Sequence, residues 1–87
     1  MYSQETVVNN QVGLHARPAT FFIQKANSFR SNVWIERDER KVDAKSLLGV
    51  LSMGVKKDTV VTLTADGPDE QDAIAGLCEL IANQLER

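Results

Sequence analysis

Apolar residues recur along this 87-residue chain at two different spacings, and the order of the resulting segments is the strongest constraint on its fold. An apolar residue at every second position predicts a strand, whereas apolar residues three and four positions apart predict a helix. The predicted order is β-α-β-β-α-β-α. Strands are expected at about 2–9, Asn32–Arg37, Arg40–Asp43 and 59–65. Helices are expected from Ala16 or Arg17 to Asn27, between Ser46 and Gly54, and after Asp69, with Ser46 and Asp69 as N-caps.

This order predicts an α+β fold with a single sheet. The first helix connects the first two strands, so these strands run parallel and a right-handed crossover is expected. If the last strand lies between them, every neighbouring pair becomes antiparallel, as in the split βαβ arrangement. We therefore expect an open-faced β-sandwich, in which helices cover one face of a four-stranded antiparallel sheet of order 1-4-2-3. A chain of this length has room for one core, so residues 1–87 are expected to form one domain.

The charge balance and the counts of cysteine and histidine argue against several classes of function. Twelve acidic and ten basic residues give a net charge of −2, which argues against nucleic-acid binding. The central strands also lack paired aromatic residues, which argues against an RNA-binding module of similar topology. One cysteine, Cys78, and one histidine, His15, cannot form a disulfide framework or a His/Cys zinc site. No stretch approaches the roughly 20 apolar residues of a membrane span, and no signal peptide is recognisable. We expect a cytoplasmic module without a metal, a cofactor or membrane insertion.

The single histidine lies at the start of the first predicted helix, in the run GLHARP at 13–18. Free backbone N–H groups and the positive end of the helix dipole favour an anion there and disfavour a protonated imidazole. We therefore expect a lowered pKa for His15 and a neutral, nucleophilic ring. Arg17 would add a planar fork of donors for phosphate oxygens. This pattern is typical of a transient phosphohistidine, but by itself it also allows a histidine that only caps the helix and an arginine exposed to solvent.

Two segments resemble the motifs of one protein family. The run GLHARPA at 13–19 resembles the active-site signature of HPr, the histidine-containing phosphocarrier of the bacterial phosphoenolpyruvate:sugar phosphotransferase system. The run KSLLGVLSMG at 45–54 resembles the second motif of this family, around its regulatory serine. The resemblance covers essentially the whole chain. It implies the fold of the family, in which three helices cover a four-stranded antiparallel sheet, and this fold agrees with the order derived above.

The resemblance implies a role for each residue of the first motif. His15 corresponds to the residue that enzyme I phosphorylates on Nδ1 and that passes the phosphoryl group to a sugar-specific enzyme IIA. Arg17 corresponds to the arginine that positions the phosphoryl group and contacts partner proteins. Such a protein is a stoichiometric intermediate rather than an independent enzyme, and the enzyme II components choose the sugar. Val12 departs from the family, because many members have Ser or Asn there, and a valine cannot hydrogen-bond the imidazole or the phosphate.

The second motif has both a structural and a functional interpretation. Ser46 corresponds to the serine that an ATP-dependent HPr kinase/phosphorylase modifies in many Gram-positive bacteria, although capping of the following helix would by itself explain a serine there. Leu47, Leu48 and Leu51 share one side of that helix, and their spacing also allows positions in the core. In the family, this side is an exposed apolar surface that docks enzyme I and enzyme IIA.

An alternative function is a regulatory module in which phosphorylated Ser46 docks a carbon-catabolite transcription factor and His15 has no role. The family also includes a carbon-regulation homologue that lacks the histidine, so the presence of His15 favours the transport carrier. The two functions are distinguished by the residue that carries the phosphate.

Overall fold

The computed structural model describes residues 1–8, 14 and 16–83 and contains every predicted helix and strand. In chain order the elements are β1 (Tyr2–Val8), α1 (Ala16–Asn27), β2 (Asn32–Arg37), β3 (Arg40–Asp43), α2 (Leu47–Ser52), β4 (Thr59–Asp66) and α3 (Glu70–Asn83). These bounds lie close to the predicted ones. Residue 9, the predicted end of the first strand, lies outside the described residues.

The four strands form one antiparallel sheet of order β1-β4-β2-β3, which confirms the predicted order and the α+β class. β4 lies inside the sheet and pairs with two strands that are distant from each other in sequence. Its β-branched residues suit a strand with a neighbour on each side. The register with β1 runs from Tyr2↔Ala65 to Val8↔Thr59. The topology therefore brings the end of β1 next to the start of β4.

Helices cover one face of the sheet, and the alternation of side chains along each strand decides which residues enter the core. The buried apolar residues of the strands are Val8, Val33, Ile35, Val61, Leu63 and Ala65. The helices contribute Ala19, Phe22, Ala26, Val50, Ala73, Ile74, Leu77, Leu80 and Ile81. Residues at the alternate strand positions face the open side of the sheet. There the Lys41 ammonium lies 5.1 Å from the centroid of the Trp34 ring, so a cation–π contact covers part of the sole tryptophan.

Asp69 immediately precedes α3, as predicted for an N-cap, but its carboxylate binds a different loop. The backbone N–H groups of Arg30 and Ser31 each donate to this carboxylate at 2.9 Å. The Ser31 hydroxyl also donates to it, and the Asp69 N–H donates back to the Ser31 Oγ at 3.2 Å. The side chain of Asp69 therefore joins the α1–β2 loop to the start of α3, while Glu70 reaches back and accepts from the Gly67 N–H at 3.1 Å.

The backbone at Gly67 lies against the same loop. Its φ is +155°, and a Cβ built on this residue would lie only 2.7 Å from the Ser31 Cα. Because the obstructing atom belongs to the backbone, a side-chain rotation cannot relieve the overlap. The junction between β4 and α3 thus requires glycine both for its conformation and for its close packing.

We predict that Asp69→Asn reduces the dependence of stability on acidic pH. Hydrogen bonds from the Ser31 side chain and from the Arg30 backbone lower the pKa of Asp69 to about 2. Because this pKa is lower in the folded chain than in the unfolded chain, the ionised carboxylate stabilises the fold fully above about pH 4, and this contribution is lost as the pH falls to about 2. The variant should be less stable than the parent at pH 7 and should lose less stability between about pH 4 and pH 2.

Urea denaturation at a series of pH values measures this effect. Asp72→Asn is the matched control, because Asp72 is an exposed carboxyl in the first turn of α3 that lies outside this hydrogen-bond network. The explanation is wrong if Asp69→Asn loses stability with acid as steeply as the parent does.

Candidate functional site

The first turn of α1 presents Arg17 to solvent. Ala16 begins the helix, Arg17 is exposed, and Pro18 is buried. Pro18 fits here because the N–H groups of a first turn have no partner within the helix. His15, which directly precedes α1 in the sequence, and Val12 lie outside the described residues. The lowered pKa and the neutral ring expected for His15 therefore remain predictions.

Two described residues that precede His15 in the chain, Val8 and Leu14, are held by one segment of the chain. Leu14 is buried, and its N–H donates to the Val55 carbonyl at 3.0 Å. The Val8 carbonyl, at the end of β1, accepts from the Asp58 N–H at 2.6 Å. Val55 and Asp58 both belong to the connection between α2 and β4. This connection is the structural support of the candidate site, and no motif in the sequence pointed to it.

Arg37 is a second residue that the sequence interpretation missed. From the last position of β2, its Nη1 donates to the carbonyls of Met53 and Gly54 at 2.9 and 3.0 Å. Carbonyl groups at the end of a helix lack partners within that helix, so a guanidinium there stabilises the end of α2. The bonds also hold the residues that immediately precede Val55. No local spacing marks this role, because the two ends of each bond are 16 and 17 residues apart.

Ser46 caps α2, as the sequence predicted. Its backbone is extended, and its Oγ accepts a hydrogen bond from the Gly49 N–H at 3.2 Å. The Ser46 carbonyl accepts from the Val50 N–H at 3.0 Å, as the first hydrogen bond of the helix. Ser46 is half-buried. The capping role is therefore present, whereas the role as a phosphorylation site is not determined by this geometry.

Hydrogen bonds at Lys45 place the start of α2 near the end of α1. The Lys45 ammonium donates to the Phe29 carbonyl at 3.0 Å, and the Asn27 side-chain amide donates to the Lys45 carbonyl at 3.3 Å. At the opposite end of α1, the N–H of the preceding Leu14 donates to the carbonyl of Val55, in the segment that follows α2. Arg17 and Ser46 therefore lie toward opposite ends of the contact between the two helices, and the structure does not bring these two side chains together.

The three leucines of α2 do not enter the core equally. Leu47 and Leu48 are 41% and 81% exposed, whereas Leu51 is half-buried and packs against the core. Val50 and Met53, on the other side of the helix, are buried. Leu47 and Leu48 therefore face outward, whereas Leu51 lies between the outer surface and the core. We call Leu47, Leu48 and Leu51 the leucine surface.

Other chemistry receives little support from the described part of the chain. No group of three His, Cys, Asp or Glu residues within it could hold a metal ion, and none of its helices is long and apolar enough to cross a membrane. Burial raises the pKa of the Cys78 thiol, so the thiol form dominates at neutral pH. Of the predicted site residues that are described, Arg17, Leu47 and Leu48 are exposed, whereas Ser46 and Leu51 are half-buried.

Comparisons with known proteins agree on one family. Residues 2–83 match the family model described as "PTS HPr component phosphorylation site". Over 85 residues, the chain is 44% identical to the HPr-like protein Crh of Bacillus subtilis, and the match covers 98% of this chain and all of that protein. It is also 44% identical over 85 residues to the phosphocarrier protein HPr of Cupriavidus necator, covering 98% and 96% of the two chains. The crystal structure of HPr-C-His from Thermoanaerobacter tengcongensis has a TM-score of 0.96 at 44% identity, covering all of this chain and 98% of that chain.

The cap at Ser46 generates a prediction about stability. Ser46→Ala removes the acceptor for the Gly49 N–H and should lower the free energy of unfolding by about 1 kcal/mol. Ser46→Asp keeps an acceptor at the same position and should retain most of the stability of the parent. Urea denaturation of the three proteins at pH 7 measures the difference. Equal losses in both variants would contradict a stabilising cap.

Proposed function

Because the chain belongs to the HPr family, we propose that it is a phosphocarrier: His15 accepts a phosphoryl group from phosphorylated enzyme I and passes it to a sugar-specific enzyme IIA during phosphoenolpyruvate-dependent sugar uptake. The observation that carries this proposal is the family match across residues 2–83, together with the histidine in the run GLHARPA. The proposed location is the cytoplasm, and the proposed chemistry needs no cofactor.

The proposed transfer has two steps of the same kind. The Nδ1 atom of a neutral His15 attacks the phosphorus, the N–P bond to enzyme I breaks, and enzyme I leaves with its own electron pair. In the second step, a nucleophile of enzyme IIA attacks the same phosphorus, and the bond to His15 breaks. Backbone N–H groups in the first turn of α1 and the exposed Arg17 support this proposal, because both favour the charge of a phosphoryl group. The protein returns to its starting state and has no turnover of its own.

The leucine surface is the proposed docking site for enzyme I and enzyme IIA. Leu47 and Leu48 expose apolar side chains on α2, the helix that packs against α1. A small apolar contact suits a carrier, because each partner must be released before the next one binds. Arg17 is proposed to contribute a charged contact at the same interface.

Ser46 is the proposed regulatory site, with an HPr kinase/phosphorylase as the modifying enzyme. A phosphate there would add nearly two negative charges at the start of α2, next to the leucine surface. This charge would slow docking to an acidic partner.

A second candidate function is supported by the similarity to Crh, which one solved structure describes as the "Bacillus subtilis Catabolite Repression HPr". In this alternative, phosphorylated Ser46 docks a catabolite-control transcription factor, and His15 is not phosphorylated. The presence of His15 in this sequence favours the carrier.

Two labelling reactions distinguish these functions. With phosphoenolpyruvate and enzyme I, the carrier should acquire an acid-labile phosphate that passes to enzyme IIA, and His15→Ala should abolish this label. With ATP and an HPr kinase, the serine switch should give an acid-stable phosphate that Ser46→Ala abolishes. Mass spectrometry of the intact chain before and after acid treatment measures both. A His15→Ala variant that still relays phosphate would refute the carrier, and label on Ser46 alone would favour the regulatory module.

We predict that Leu48→Glu slows phosphoryl transfer without unfolding the protein. Because Leu48 is 81% exposed, the substitution should change stability by less than about 0.5 kcal/mol. It should raise the KM of enzyme I for this protein by about five- to tenfold and leave kcat nearly unchanged, since it removes docking rather than chemistry.

Val60→Glu is the matched control for this prediction. Val60 is also apolar and is 52% exposed, but it lies on the open face of the sheet, away from α2. Steady-state transfer from enzyme I should be the same for this control as for the parent. Equal KM values for the Leu48→Glu variant and the parent would remove the leucine surface from the proposed interface.

A further inference from the structure

Gly49, in the first turn of α2, differs from the other glycines in the described part of the chain, because the unmodified fold does not require a glycine there. Gly54 and Gly67 have φ values of +62° and +155°, which other residues rarely adopt. Gly76 lies where α1 and α3 approach, and a Cβ on it would lie 3.0 Å from the Phe29 ring. Gly49 has neither a positive φ nor such a close neighbour.

Alanine would fit at position 49 in the unmodified protein. A Cβ there would lie 3.4 Å from both the Cβ and the Oγ of Ser46, and 3.5 Å from the Asp43 carbonyl oxygen. These are ordinary van der Waals distances. Alanine is also a better helix former than glycine, so neither packing nor helix propensity explains the glycine.

The space that this Cβ would fill lies directly beside the Ser46 hydroxyl. The Gly49 N–H donates to the Ser46 Oγ, and the Ser46 N–H donates to the Asp43 carbonyl at 3.1 Å. These two bonds fix the position of the serine relative to the helix. A methyl group on residue 49 would contact Oγ on the side where that oxygen faces the helix. A phosphoryl group on Oγ brings three further oxygens to the same region.

We infer that Gly49 is a specificity-determining residue for phosphorylation at Ser46: its missing side chain leaves the space that the phosphoryl group needs. This inference rests on the serine switch proposed above. In the reaction, the Ser46 Oγ attacks the γ-phosphorus of ATP, an Oγ–P bond forms, and the bond from that phosphorus to ADP breaks. The hydroxyl proton passes to a base of the protein kinase. Alanine at position 49 crowds the product and the transition state, but not the free hydroxyl.

The test compares the parent with Gly49→Ala as substrates of an ATP-dependent HPr kinase, using ATP labelled on its γ-phosphate. The kcat for Ser46 should fall about tenfold in the variant, because overpacking beside a reacting atom commonly costs that much. The KM for the kinase should change little, since the added methyl group crowds the transition state and not the free hydroxyl. The melting temperature should equal or exceed that of the parent, and transfer from enzyme I to His15 should be unchanged. A loss of structure would instead lower the melting temperature and the transfer to His15 together with kcat.

Ser52→Ala is the matched control, because Ser52 lies one turn further along α2 and is exposed. It should be phosphorylated at Ser46 at the rate of the parent. Equal kcat values for the Gly49→Ala variant and the parent would overturn the inference while leaving the serine switch intact. A parent chain that acquires no label on Ser46 would overturn both the serine switch and this inference.

Discussion

The position of β4 between β1 and β2 is the constraint on which the rest of the structure depends. This pairing brings the connection that precedes β4 next to the end of β1, where the Asp58 N–H binds the Val8 carbonyl. The same connection accepts the Leu14 N–H through Val55. Val8 and Leu14, which both precede His15, are therefore supported by the connection that leads into this inner strand.

The sides of α2 have different surroundings, although the helix is only six residues long. One side is inserted into the core through Val50, which holds the helix against the sheet and α1. The outer side exposes Leu48, where docking of a partner is proposed. The third side contains Ser46 and Gly49, where the cap and the proposed modification use the same oxygen. A phosphate placed there would adjoin the docking surface without disturbing the buried side, which is a physical basis for regulation without unfolding.

The two predicted N-caps show how far local reasoning extends. Ser46 caps its own helix, because its Oγ accepts from the Gly49 N–H only three residues away. Asp69 has the same type of position, but the N–H groups of Arg30 and Ser31 compete for its carboxylate. These donors lie 39 and 38 residues away along the chain. A residue's propensity to cap a helix contains no information about such donors, so the sequence could not reveal the alternative.

Short-range patterns were sufficient for the identity and order of the helices and strands and for the sheet order, because each follows from apolar spacing and from the rules that connect neighbouring elements. The spacing of Leu47 and Leu48 left both a core and an outward position open, and the structure decided between them. Folding in three dimensions decided the rest. Several features arise from groups that meet only after the sheet has assembled. They are the hydrogen bonds of Arg37 to the end of α2, the hydrogen bond of Leu14 to Val55, and the space beside the Ser46 hydroxyl. Hydrogen bonds and steric contacts act over a few ångströms in space, whatever the separation along the chain, and for this reason no pattern within a single segment could have shown them.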